Sequence, residues 1–262
     1  YGAISTDYVC AHLKGDEIFE VNLRTRQDGI FCGREVFEIV FDVLSNGKVE
    51  VEFFVDDGDE MKKGDILAKI KGFPRYVLTG ERLALNFVQR MSGIATYTKK
   101  FVDILAPYGV KMADTRKNTP NFRMFEKYSA AIGGATLHRF NLCDCIMLKD
   151  NHIALLGGNI KEAVQKVKEF NSHAHKIEVE CDKFEQVKEA IEAKVDIIML
   201  DNMTLDEIKK CTEFINKRAI VEISGNVKLE TLPELAKTGV DVISSSAIIT
   251  KASTIDLGFD YL

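Results

Sequence analysis

Apolar and polar positions alternate at the start of the chain. Phe19, Val21 and Leu23 stand between Ile18, Glu20, Asn22 and Arg24, which is the two-residue period of a half-buried strand. Val36 to Leu44 (VFEIVFDVL) has helical spacing, and Val49 to Val55 alternates again. Residues 56–72 are rich in glycine and turn formers and close on a short strand. Over 80–106, Leu83, Phe87, Val88 and Met91 recur at helical spacing, predicting one or two connecting helices. Beyond residue 110 the period settles. Buried strands are predicted at 110–113, 145–148, 176–180, 196–200, 219–223 and 240–244. Helical patterns lie between them at 122–132, 159–170, 183–193, 204–216 and 228–237. Strands alternating with helices give a parallel sheet with right-handed crossovers, closed as a barrel or doubly wound. In both, ligands bind at the carboxyl ends of the strands.

Those ends carry unusual chemistry. The stretch ADTRKNTP (113–120) sets Arg116 and Lys117 just past an apolar run. TLHRF carries His138 and Arg139, CIML ends in Lys149, KIEVE in Glu180, and IIML in Asp201 and Asn202. IVEI ends in Ser224, Gly225 and Asn226, and DVI in Ser244, Ser245 and Ser246. Ser224 or Asp201 alone would be read as a helix cap. Six such ends in succession, cationic early and acidic or Ser/Gly-rich late, exceed what capping asks for. Arginine matches carboxylate and phosphate through its planar fork. Glu180 and Asp201 suit ribose hydroxyls, Mg²⁺ or a cationic centre formed during reaction. The serine and glycine tips suit a phosphate. Together they describe a phosphorylated sugar beside a polyanionic small molecule. The absence of GxxxxGK(S/T) and GxGxxG weighs against nucleoside triphosphates and dinucleotides.

Composition narrows this further. Across 262 residues the apolar share is 46% and the net charge −5, with a pI near 5.7. A sizeable core is available, and a general nucleic-acid or membrane surface is disfavoured, so an anion site must be a local basic cluster. No run is long and apolar enough to span a bilayer. No signal peptide is visible, and the opening Tyr1 leads us to expect a natural start further upstream. Six scattered cysteines suggest reduced thiols and a cytoplasmic setting. Cys143-x-Cys145 is read as a pair of buried strand thiols, because no second pair completes a metal site. Residues 56–72 resemble the hairpin edge of lipoyl and biotinyl carrier domains, yet Lys62 sits within the turn pattern and a structural turn is expected.

The ordered set GERLALNFVQRMSGIAT, ADTRKNTP, GGATLHR, MLKDNHI, IEVE, MLDNM and VEISGN followed by ISSSA closely resembles the quinolinate phosphoribosyltransferase family, also called carboxylating nicotinate-nucleotide pyrophosphorylase. The resemblance runs from about residue 15 to the end. It implies an α/β fold: an N-terminal α/β sandwich domain with connecting helices (1–106), an incomplete TIM-like α/β barrel (107–253), and a tail (254–262) returning to the first domain. It implies a homodimer with shared active sites, hexamers as a further assembly, and neither nucleic-acid nor membrane partners. The implied reaction joins quinolinate to phosphoribosyl pyrophosphate (PRPP), releasing pyrophosphate and CO₂ and giving nicotinate mononucleotide for NAD biosynthesis. By the resemblance, Arg116, His138 and Arg139 bind quinolinate, and a partner subunit supplies Arg82. Spacing alone reads Arg82 as a surface arginine. Lys117 and Lys149 lie between the dicarboxylate and PRPP. Glu180 and Asp201 surround the ribose and Mg²⁺, and with Lys149 make the catalytic set. Ser224, Gly225, Asn226, Ser245, Ser246 and Ala247 form the 5′-phosphate loops.

The chain departs from the family pattern at four places. Asn226 stands where many relatives have a second glycine, and Ser245-Ser246-Ala247 where many have Val-Gly-Ala. Leu137 replaces an asparagine, and Ala3 an aspartate. Three other readings compete: a barrel aldolase using Lys149 as Schiff-base nucleophile, a related transferase acting on nicotinate or another acid, and a non-catalytic PRPP- or anion-binding relative.

Overall fold

The computed structural model describes residue 7, residues 9–13 and residues 17–261. Ala3 lies outside the described residues. After a 3-10 turn at Cys10–His12 come β1 (Phe19–Thr25), β2 (Gly29–Ile30), α1 (Arg34–Ser45), β3 (Val49–Phe53), β4 (Glu60–Met61), β5 (Ile66–Gly72) and α2 (Pro74–Leu105). Next are β6 (Lys111–Ala113), α3 (Arg123–Ile132), β7 (Ile146–Leu148), α4 (Asp150–Leu155), α5 (Ile160–Lys168) and β8 (Ile177–Cys181). The chain continues with α6 (Phe184–Glu192), β9 (Ile197–Asp201), α7 (Leu205–Ile215), β10 (Ile220–Ser224) and α8 (Leu232–Ala236). It closes with β11 (Val242–Ser244), α9 (Ala247–Thr250) and β12 (Leu257–Tyr261).

Contacts divide the chain into two units. The first gathers the described residues up to Thr98 with Met124–Gly133 and the tail from Ala252; the second holds Lys99–Arg123 and Gly134–Lys251. The expected boundary near residue 106 therefore moves, and most of α3 groups with the first unit. The reason is packing: Phe125 of α3 meets Phe87 of α2 edge-on at 5.1 Å, and Ser129 Oγ lies 3.7 Å from Cys32 Sγ.

The first unit is a four-stranded antiparallel sheet, in the order β12-β1-β5-β3, covered by helices. The tail strand β12 pairs with β1, setting Phe259 opposite Leu23. Helix α1 presents Phe37 and Phe41, both fully buried, to Phe53 and to Phe259 of the tail. Ala84, Leu85 and Val88 of α2 join the same core. The predicted helix at 80–106 is one helix of 32 residues that starts six residues earlier, at Pro74, which needs no N–H at a first turn. At Gly93 it passes so close to the tail that an added Cβ would collide with Ser253 O. The turn at 62–65 is closed by Asp65, whose N–H donates to Lys62 O and whose Oδ2 accepts from Lys62 N. Lys62 is thus part of a structural turn.

The second unit is a parallel sheet of six strands in the order β6-β11-β10-β9-β8-β7. Thr136 adds a one-residue parallel bridge beyond β6, to Ala113. No ladder joins that bridge to β7, so the barrel is incomplete between residue 136 and β7. Residues 137–145, which cross this gap, form no strand. The expectation of buried strand thiols is corrected here, since Cys143 is exposed and both cysteines precede β7. The short helix α4 has no counterpart in the periodic pattern; DNHI comes directly after a strand end, and His152 Nδ1 accepts from Lys149 N at 3.1 Å to cap it. The pattern at 228–237 breaks into a 3-10 turn and the five-residue α8, which has Pro233 in its first turn. No helix among the described residues is long and apolar enough to cross a membrane.

Phe37 has three aromatic neighbours and no exposure, so Phe37→Ala is expected to cost about 3–5 kcal/mol of folding free energy by urea denaturation.

Candidate active site

In a strand the side chains alternate, so each barrel strand sends every second residue inward. β7 sends Met147, with Lys149 just past its end; β8 sends Glu178 and Glu180, β9 Met199 and Asp201, β10 Glu222 and Ser224, and β11 Ser244. Their last members meet at the carboxyl ends of the strands. There Thr115, Arg116, Lys117, His138, Arg139, Lys149, Glu180, Asp201, Asn202, Ser224, Gly225, Asn226, Ser244, Ser245 and Ser246 line a cavity of about 520 Å³. The structure thus brings together twelve of the fourteen predicted residues. Ala247 is buried at the start of α9, and its N–H donates to Ser245 Oγ. Arg82 lies on α2 and does not line this cavity.

The two arginines are held apart from fixed counter-ions. Arg139 donates to Cys145 O at 3.3 Å and to Met147 Sδ at 3.2 Å. Neither Arg139 nor Arg116 forms an ion pair among the described residues. Burial, with repulsion from Arg139 and Arg123, pulls Arg116 below the usual arginine range. These charges lack a partner that an anionic ligand can supply. On the other side, Lys149 Nζ pairs closely with Glu180 Oε2, and Asp201 Oδ2 accepts from Asn202 Nδ2 at 2.7 Å.

The loops after β10 and β11 differ in backbone. Gly225 (φ +91°) and Asn226 (φ +50°) are both left-handed. A Cβ at Gly225 would collide with Asn202 Oδ1, so this position requires glycine. Asparagine tolerates the left-handed region at 226, which explains why it can replace a second glycine. Ser246 has φ −69°, and Ser245 is not among the left-handed residues, so serines fit a loop where relatives carry glycine.

Three carboxylates around the site escape a reading of the sequence alone: Asp114, Glu178 and Glu222. Asp114 Oδ1 accepts from His138 N at 2.7 Å. His138 Nε2 lies 3.4 Å from Glu178 Oε2 and 3.5 Å from Glu222 Oε1. Glu178 is fully buried and Glu222 nearly so. Burial and the adjacent Glu178 push Glu222 up to about 7, against the pull of His138. A signal does exist: Glu178 and Glu222 stand two residues before Glu180 and Ser224, on the same strand faces.

A parallel barrel open at one seam, with a cationic pocket, a carboxylate pair and two small-residue loops at its strand ends, has the form of an enzyme site and the chemistry to suit acidic small molecules. The family profile described as "Quinolinate phosphoribosyl transferase, C-terminal domain" matches residues 94–260, and its N-terminal counterpart matches residues 4–92. A Bacillus subtilis protein named "Probable nicotinate-nucleotide pyrophosphorylase (carboxylating)" is 38% identical over 254 residues, covering 97% of this chain and 87% of that protein. A Nicotiana tabacum protein named "Quinolinate phosphoribosyltransferase (decarboxylating) 2b, mitochondrial" is 36% identical, covering 91% of this chain and 72% of that protein. The structure of NadC from Streptococcus pyogenes superposes with a TM-score of 0.92 at 37% identity, covering 99% of this chain and 94% of that one. The chain belongs to the quinolinate phosphoribosyltransferase family, and is an enzyme of that family.

Glu222 carries a pH test. A carboxyl raised in the folded state costs stability only when it ionises. That cost is absent below the usual glutamate value of 4.5, grows from there to about 7, and is complete above. Glu222→Gln is therefore expected to raise the melting temperature at pH 8 by roughly 3 °C or more, with the gain shrinking as pH falls toward 5.

Proposed function

We propose that this enzyme transfers the phosphoribosyl group of PRPP to the ring nitrogen of quinolinate, with release of pyrophosphate and loss of the 2-carboxylate as CO₂, giving nicotinate mononucleotide in NAD biosynthesis. The observation that carries the residue assignment is the pairing of two arginines, Arg116 and Arg139, that lack counter-ions in a partly buried pocket. A single carboxylate would leave one of these two guanidinium groups without a counter-ion, whereas a dicarboxylate matches both.

Quinolinate lies against Arg116, His138 and Arg139 in this reading. Lys117 and Lys149 stand between it and PRPP, whose 5′-phosphate takes the N–H groups and hydroxyls of Ser224, Gly225, Asn226, Ser245 and Ser246. Glu180 and Asp201 face the ribose, where their charge stabilises the oxocarbenium-like centre as the bond to pyrophosphate breaks. The same two carboxylates suit Mg²⁺, which takes one or two carboxylates together with substrate phosphates. When bound, the ion would neutralise the leaving pyrophosphate. The ring nitrogen carries a lone pair and needs no general base. The site's work is alignment of that nitrogen with C1 of PRPP and electrostatic stabilisation. Lys149 Nζ is taken up by its pairing with Glu180, which disfavours a Schiff-base aldolase.

By the family resemblance, Arg82 serves a neighbouring subunit in a homodimer, with hexamers as a further assembly. The setting we assign is cytoplasmic.

A coupled assay with quinolinate, PRPP and Mg²⁺, run in parallel with nicotinate, tests the function: turnover of quinolinate and not of nicotinate is expected. Arg139→Ala is expected to lower quinolinate turnover by at least about a hundredfold with an unchanged far-UV spectrum; near-normal activity would overturn the assignment. Gly225→Ala is expected to raise the KM for PRPP about tenfold or more, because the new methyl group displaces Asn202 and strains a left-handed residue.

A further inference from the structure

His138 and Arg139 stand on a segment with no ladder to hold it. The parallel bridge ends at Thr136, the next strand begins at Ile146, and residues 137–145 cross the open seam as irregular chain. Two of the site's donors are thus carried where the barrel is missing a strand. What fixes them is a set of buried carboxylates. Asp114 takes the His138 N–H at 2.7 Å. The imidazole reaches into the barrel, with Nε2 at 3.4 Å from Glu178 and 3.5 Å from Glu222. Nδ1 accepts the Arg139 N–H at 2.8 Å, so the ring carries its hydrogen on Nε2, between the two carboxylates. Neither Glu178 oxygen meets hydrogen-bond geometry with any described residue, so its contact with the imidazole at 3.4 Å is a close polar approach. Two buried carboxylates aimed at one ring are costly, and such cost is retained where a site depends on it. A metal ion on Nε2 would need the ring hydrogen on Nδ1, where the Arg139 N–H already points.

We infer that Glu178 and Glu222 are positioning residues: by gripping His138 Nε2 from β8 and β10 they replace the missing strand's ladder and fix the His138–Arg139 pair that receives quinolinate. This rests on the quinolinate seat proposed above. The chain of contacts is continuous. Carboxylates hold the ring, the ring's Nδ1 holds the Arg139 backbone, and Arg139 then reaches Cys145 O and Met147 Sδ with its remaining donors turned to the cavity.

The test compares Glu222→Gln with Glu222→Leu, and Glu178→Gln with Glu178→Leu. Glutamine keeps a neutral acceptor in place; leucine removes it. Calorimetric titration gives the Kd for quinolinate and for PRPP, melting curves give stability, and ¹⁵N spectra of histidine-labelled enzyme give the His138 tautomer. Quinolinate binding is expected to weaken a few-fold in the glutamine variants and about tenfold or more in the leucine variants, with PRPP binding within about twofold of wild type. Melting temperatures should not fall, because each change removes a buried carboxyl group that lacks hydrogen-bond partners. The Nε2–H signal of His138 should stay near its wild-type position with glutamine and shift or broaden with leucine, as the ring loses one of its two holders. Wild-type quinolinate affinity in the leucine variants overturns the proposal. So does weaker binding of both substrates with lower melting temperatures, which would make the pair structural. Arg139→Ala in the same titration separates the two readings: if it leaves quinolinate binding unchanged, the seat itself is wrong; if it alone weakens binding, only the positioning role falls.

Discussion

Repulsion between Arg116 and Arg139 is the constraint on which this site is built. Two guanidinium groups share a partly buried pocket with no carboxylate paired to either. In an acidic protein that arrangement is not a by-product of composition; nearby carboxylates are present and are directed elsewhere. Glu180 is taken by Lys149, Asp201 is fixed by Asn202, and Glu178 and Glu222 face His138. The pocket therefore separates charge, and in the proposed reading the arginines take an acidic ring and the carboxylates a sugar that gains positive character. Both ends of a phosphoribosyl transfer are served by that separation.

The incomplete barrel makes this possible and also exacts a cost. An open seam frees residues 137–145 from the regular strand, so His138 and Arg139 can be placed by side chains rather than by register. The backbone that loses its ladder must find other partners. It finds Asp114, His138 Nδ1, and, at Phe140 and Asn141, the Asp144 carboxylate. Buried acids in the barrel interior are the counterpart of a missing strand.

The loops after β10 and β11 show how serine and asparagine fit backbone positions without strain. Only Gly225 is bound to its identity, by both its left-handed φ and its contact with Asn202. Asn226 keeps the left-handed turn that a second glycine gives elsewhere. Ser245 and Ser246 need no special φ, and Ser245 adds a hydroxyl that holds the Ala247 N–H.

Much of this is legible in the chain. The alternation of apolar runs with helical spacing locates every strand of the second unit to within two residues, because buried parallel strands must be continuous in apolar character. The strand-end rule then picks out Arg116, Lys149, Glu180 and Ser224, since residues just past a strand's last apolar position necessarily lie at the rim. Asp114, Glu178 and Glu222 are invisible as a set because they are far apart in sequence and each looks like an ordinary charged residue of a strand. Only the folded sheet, by bringing β8, β10 and the residue after β6 to one histidine, turns them into a common support: Glu178 and Glu222 face its ring and Asp114 takes its backbone N–H. The grouping of α3 with the first unit is likewise decided by packing, through Phe125 on Phe87, which spacing along the chain does not encode. Local periodicity determines which residues can face inward; which of them meet is settled by closure of the sheet, a property of no single segment.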